Sequence, residues 1–200
     1  MGKNRLEAFS DGVLAIIITI MVLELKSPHG AEFAALGPLI PVFSAYLLSF
    51  LYLAIYWNNH HHLLHTVRNV SAGILWSNLH LLFWLSLFPF ATAWMGETHV
   101  ASAPTAFYGI ILLFAAIAYY ILQCAILAHE GRASVLALAL GRDWKGKLSP
   151  VIYLAAIALA FVNPWIANAL YAFAALLWLV PDRRIERALQ VQEHAGPSQK

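Results

Sequence analysis

Two groups of side chains in this 200-residue chain have types and spacing suited to chemistry. The first is His60, His61, His62 and His65. His61 and His65 stand i, i+4, so they share one helix face, as metal-binding histidines do. No Asp or Glu lies nearby to complete a catalytic zinc set, and Asn58, Asn59 and Arg68 flank the group. A polar helix end with a structural role is the simpler reading, although neutral histidine also makes the group a place for pH to act. The second is Asp11, at the head of the long apolar run Val13–Leu25. An ionisable group there is costly and needs a partner. Its candidate donors are Asn58, the histidines from His60 to His62, Asn78 and His80. These groups suggest two activities, a membrane metal-handling protein built on the histidines or a proton-coupled transporter using Asp11. Transporters of this size usually need paired repeats and helices broken at midplane, and none is obvious here. No nucleophile motif, phosphate loop or dinucleotide fingerprint occurs. The single Cys124 excludes an internal disulfide and a Cys-based zinc site.

The elements that must position these groups follow from composition. The chain is 61% hydrophobic and 11% charged, with a mean hydropathy of +0.70, whereas a soluble domain is about a quarter charged. Several continuous apolar runs approach the roughly 20 residues of a spanning helix, and barrel strands would alternate instead. The fold class is therefore an all-α integral membrane protein whose first partner is the lipid bilayer. A net charge of +2 gives no reason to expect nucleic acid. The first run is too long for a signal peptide, and Glu24-Leu25-Lys26-Ser27-Pro28 is no cleavage site, so it reads as a retained helix.

Helices are expected at about 4–25, 38–65, 70–94, 105–128, 151–162 and 164–180. Pro89 is placed to kink the third. The segment 133–140 continues the fourth or forms a short interfacial helix. Ser149-Pro150 and Asn163-Pro164 each read as an N-cap followed by proline at the first helical position. That squeezes the fifth helix to roughly 18 Å at 1.5 Å per residue, unless it begins before Ser149 or makes a shallow hairpin with the sixth. A membrane domain of 1–182 and a polar cytoplasmic tail of 183–200 follow. Lys3, Arg5, Arg68, Arg132, Arg142, Lys145, Lys147, Arg183, Arg184, Arg187 and Lys200 fall on one side, and Lys26 alone on the other. Cytoplasmic loops carry the excess of Lys and Arg, so both termini are expected in the cytoplasm, with six crossings per subunit. Trp94, Trp144, Trp165 and Trp178 lie near the expected helix ends, as an interfacial belt requires.

On a wheel of about 100° per residue, Arg5, Phe9, Gly12, Ile16, Thr19, Ile20 and Leu23 share one face of the first helix. Asp11 falls about 240° from Arg5, so the two do not pair within the helix. An apolar stripe of this kind faces lipid or packs in a core in most membrane helices. If several copies met around an axis, Ile16 and Leu23 would instead form apolar rings, which gate by dewetting and strip water from an ion.

Arg5-x-x-x-Phe9-Ser10-Asp11, followed at once by an Ile-rich helix, resembles the signature of the transmembrane protein 175 family of potassium channels. Trp57-x-x-His60-His61 and Asn78…Pro89-Phe90-x-Thr92 are similar to the family's second- and third-helix patterns. The length and single motif copy match the prokaryotic type, with six helices per subunit in a homotetramer. The resemblance implies a pore lined by the first helix of each subunit, with hydrophobic constrictions one to two turns after the motif. By position these are Ile16, then Thr19 or Ile20, then Leu23. It also implies a polar network of Arg5, Ser10 and Asp11 that braces the first helix, with Phe9, Trp57, His60, His61 and Asn78 beside it. The expected activity is passive conduction of potassium and other monovalent cations, with modest preference for potassium over sodium. The expected location is the cell inner membrane, with no metal or other cofactor and no enzymatic activity.

Overall fold

A computed structural model describes residues 2–131 and 144–179. Among them are seven α-helices and one 3-10 helix: α1 Lys3–Leu23, the 3-10 turn Phe33–Leu39, α2 Ile40–His65, α3 Ala72–Ser86, α4 Phe88–Glu97, α5 Ser102–Glu130, α6 Trp144–Ala160 and α7 Pro164–Leu179. Lys3–Leu23, Phe33–His65, Ala72–Glu97 and Ser102–Glu130 are each long and apolar enough to cross a membrane, and Pro164–Leu179 is a shorter apolar helix. The expected segment 133–140 and the tail 183–200 lie outside the described residues.

The third expected helix is two. Pro89 has no N–H to donate and its ring crowds the Leu85 carbonyl, so α3 stops at Ser86 and α4 restarts with Phe88-Pro89 in its first turn. Leu87 N donates to Trp84 O at 3.3 Å across the break, and Ala91 N to Leu87 O at 3.1 Å beyond it. Ser71 caps α3 by accepting from Ile74 N at 3.3 Å.

The fifth expected helix begins earlier than Ser149, at Trp144. Ser149 is therefore no N-cap: its hydroxyl donates to Lys145 O at 2.9 Å from within the helix. Pro150 lies inside α6, where it has no N–H to give to the helix ladder. Asn163 does cap α7, its Oδ1 accepting from Trp165 N at 2.9 Å. Trp178 Nε1 donates back to Ser149 Oγ at 2.8 Å, so α6 and α7 run antiparallel.

α5 is the spine, packed on α3 and α6, while α6 packs on α7 and α2 on α4. Its contact with the hairpin is close at Gly109, where a Cβ would meet Tyr171 Oη, Tyr171 Cζ at 2.7 Å and Ile157 Cγ1 at 2.8 Å. Among the described residues α1 packs chiefly against α2, α3 and α4.

Candidate functional site

α1 has two faces. Leu6, Ser10, Leu14, Ile17 and Met21 recur every three or four residues and are buried. Ile16 is 60% and Leu23 75% exposed, and Arg5, Phe9, Gly12, Thr19 and Ile20 are exposed beside them. The single chain thus leaves open the whole stripe that the wheel selects. Thr19 Oγ1 donates to Ala15 O at 2.9 Å. Its proton is spent on its own helix, and the oxygen lone pairs remain available on the exposed face.

The buried face is held by polar contacts at several levels. At the start of α1, Lys3 Nζ donates to the His65 carbonyl at 3.1 Å. About two turns on, Ser10 donates to Leu6 O at 2.9 Å. With that proton used, Ser10 Oγ accepts from Asn78 Nδ2 at 2.9 Å. Asn78 Oδ1 then faces His60 Nε2 at 2.6 Å. Because the amide oxygen only accepts, His60 carries its proton on Nε2 and donates. All three side chains are buried. Toward the far end, the hydroxyls of Ser49 and Thr92 lie 2.6 Å apart and Ser49 donates to the Tyr108 oxygen at 3.0 Å. Thr92 Oγ1 lies 3.9 Å from Met21 Sδ on α1. Lipid tails give helices no hydrophobic reason to associate, so close packing and bonds of this kind, about 0.6–2 kcal/mol each, must hold them.

Asp11 departs from expectation twice. It is exposed in the single chain, since it sits at the edge of the open face and not behind it. Its donor is none of Asn58, the histidines, Asn78 or His80, but Trp57 Nε1 at 3.0 Å. Asn78 is taken by Ser10 and His60, and His80 Nε2 accepts from Trp84 Nε1 at 3.0 Å within its own helix. Trp57 also stacks on His61, with ring centroids 6.1 Å apart and planes 28° apart. The motif's three polar residues therefore divide. Ser10 enters the buried network and Asp11 a rim contact. Among the described residues of the single chain the Arg5 side chain has no hydrogen-bond or ionic partner.

Three contacts escaped the sequence reading. Lys26 Nζ lies 3.1 Å from Glu97 Oε1, tying the segment after α1 to the end of α4. Lys26 and Glu97 are opposite charges beside successive expected helix ends, which is a usable signal. The Ser49–Thr92–Tyr108 cluster and the Lys3 contact carry no such signal, because hydroxyls and helix-end carbonyls are common and only packing brings these together.

The family model described as "Endosomal/lysosomal potassium channel TMEM175" matches residues 5–89, from the start of the motif to Pro89. A protein of Chryseobacterium sp. (strain P1-3) named as a potassium channel is 56% identical over 190 residues, covering 95% of this chain and 99% of that protein. Another of Streptomyces collinus, named likewise, is 31% identical over 198 residues, covering 88% of this chain and 91% of its own. The crystal structure of a lysosomal potassium-selective channel TMEM175 homolog from Chamaesiphon minutus superposes with a TM-score of 0.78 at 29% identity, over 90% of this chain and 97% of that one.

Proposed function

The chain belongs to the TMEM175 family of channels, and from that membership we propose that it is a potassium channel of a membrane, not an enzyme, with conduction through a central pore lined by α1. Conduction is passive. Four copies of the chain surround the axis, each turning the Arg5–Leu23 stripe inward. The observation that carries this reading is the asymmetry of α1. One face is locked into its own subunit by Ser10, Asn78 and His60, while on the opposite face Phe9, Ile16, Ile20 and Leu23 stay exposed among the described residues.

In that arrangement Ile16, Ile20 and Leu23 form apolar rings. A narrow apolar ring gates by dewetting and makes an ion shed part of its shell. Such rings offer no oxygens to replace lost water, so they favour the more weakly hydrated cation and give only modest preference for potassium over sodium. Thr19 adds the one side-chain oxygen among them, already oriented by its bond to Ala15. Residues 1–182 make up the channel domain and 183–200 a cytoplasmic tail. The helices α1, α2, α3 with α4, α5, α6 and α7 make six crossings, and the one-sided placement of Lys and Arg puts both termini in the cytoplasm. The subunit is then a multi-pass protein of the cell inner membrane. No cofactor enters this reading, and potassium is the conducted ion.

The test is flux into liposomes carrying the purified full chain, with potassium, sodium and proton gradients imposed separately. Potassium-driven flux exceeding sodium-driven flux by a modest factor is the expected result. No potassium flux in vesicles shown to hold folded protein would overturn the reading.

A further inference from the structure

We propose that His61 and His65 form a binding site for a divalent transition-metal ion at the end of α2. The two residues occupy the final turn of that helix, and both are exposed. Their ring centroids are 4.5 Å apart with the planes crossed at 72°. Two imidazole nitrogens on one ion at about 2.0–2.1 Å lie roughly 3 Å from each other. Crossed rings at this separation reach that arrangement by small rotations about their side-chain bonds. Neither ring is committed elsewhere as His60 is to Asn78.

The surroundings hold the pair in place. Trp57 stacks on the outer side of His61, limiting its rotamers. The His65 carbonyl accepts from Lys3 Nζ at 3.1 Å, which pins the last turn of the helix. The Lys3 charge opposes a cation, but Glu7 Oε1 lies 3.8 Å from that ammonium and offsets it. Among the described residues no third His, Cys, Asp or Glu completes a three-ligand set. Water must therefore fill the other positions, which makes this a weak, exchangeable site and not a resident metal centre. Imidazole nitrogens suit nickel, copper and zinc, while magnesium and calcium demand oxygen. Occupancy would fix the His61 ring against Trp57, whose indole holds Asp11 on α1, so the site adjoins the exposed face of α1 without belonging to it.

The experiment is calorimetric titration of Ni²⁺ into the full chain in detergent, purified through a tag that contains no histidine. Saturable binding at one ion per subunit is expected, weakened by about tenfold or more in His61→Ala and in His65→Gln, as loss of one of two imidazole ligands demands. Magnesium should not compete. His129→Ala removes an exposed histidine elsewhere and should leave the titration unchanged. Binding that survives both substitutions, or its absence from the unaltered chain, overturns the proposal. Neither result depends on whether the chain conducts.

Discussion

Trp57 and Asp11 meet at the edge between the locked and the open faces of α1, the indole N–H donating to the carboxylate at 3.0 Å. Asp11 lies on the rim, so water and salt weaken the bond to about 1 kcal/mol, below the usual range for a charged acceptor. Trp57→Phe and Asp11→Ala should each lower oligomer yield in size-exclusion chromatography. The double variant should be no worse than the more severe single one, because the second change removes a partner already lost. Additive losses would show that the two residues act separately. Asp11→Asn keeps the acceptor oxygen and should come nearest to the unaltered protein.

The buried relay from Ser10 through Asn78 to His60 gives an order of effects. Ser10→Ala strands one Asn78 N–H. Asn78→Ala strands His60 Nε2–H and opens a cavity as well, while Ser10 still donates to Leu6 O at 2.9 Å. A buried group left unpaired costs about 1–3 kcal/mol. Thermal unfolding in detergent should therefore fall in the order unaltered, Ser10→Ala, Asn78→Ala. Equal midpoints for the two variants would mean that water replaces the missing amide.

The α1 stripe was legible because an angle of about 100° per residue fixes which side chains share a face, and all seven stripe residues are exposed, together with Asn4, Ala8, Asp11, Ala15 and Val22. The burial of Ser10 and its tie to Asn78 were legible only as a resemblance of motifs. Nothing in the spacing says which helix α1 leans on. The donor to Asp11 was not legible by polarity, since Trp57, apolar in bulk, carries its N–H only at its tip. Ser-Pro is a strong N-cap pattern, so sequence alone left open whether α6 begins at Ser149 or before it, and the structure has it helical from Trp144. The break at Leu87 was read as a kink, since proline fixes where a helix yields but not by how much.

At Gly109, α5 comes close to the α6–α7 hairpin. A methyl there would collide with the Tyr171 hydroxyl, which donates to Thr105 O at 3.2 Å. Overpacking a core by one carbon costs about 1–3 kcal/mol, and here the bond is lost too. Gly109→Ala should lower the unfolding midpoint clearly. Adding Tyr171→Phe removes the nearest atom and should recover part of the loss, though ring carbon Cζ, at 2.7 Å from the added Cβ, remains. If Tyr171→Phe deepens the defect, the collision is not its cause.

Ile16 and Ile17 are neighbours in sequence with opposite surroundings, Ile16 60% and Ile17 3% exposed. The same substitution should therefore do different things at the two sites. In the pore reading, Ile16→Asn places an amide where an apolar ring would exclude water. The ring wets, ions keep more of their shell, and flux rises while the preference for potassium falls. Folding should be little affected, since an exposed amide reaches water. Ile17→Asn instead buries an amide against Leu14 and Met21, with a cost of about 1–3 kcal/mol for unpaired polar atoms. It should lower stability and yield, and leave selectivity unchanged in whatever protein folds. Paired measurements of the unfolding midpoint and of potassium and sodium flux in liposomes separate the two effects. If Ile16→Asn behaves as Ile17→Asn does, with lost stability and unaltered selectivity, the exposed stripe of α1 is an outer packing surface and ions pass elsewhere.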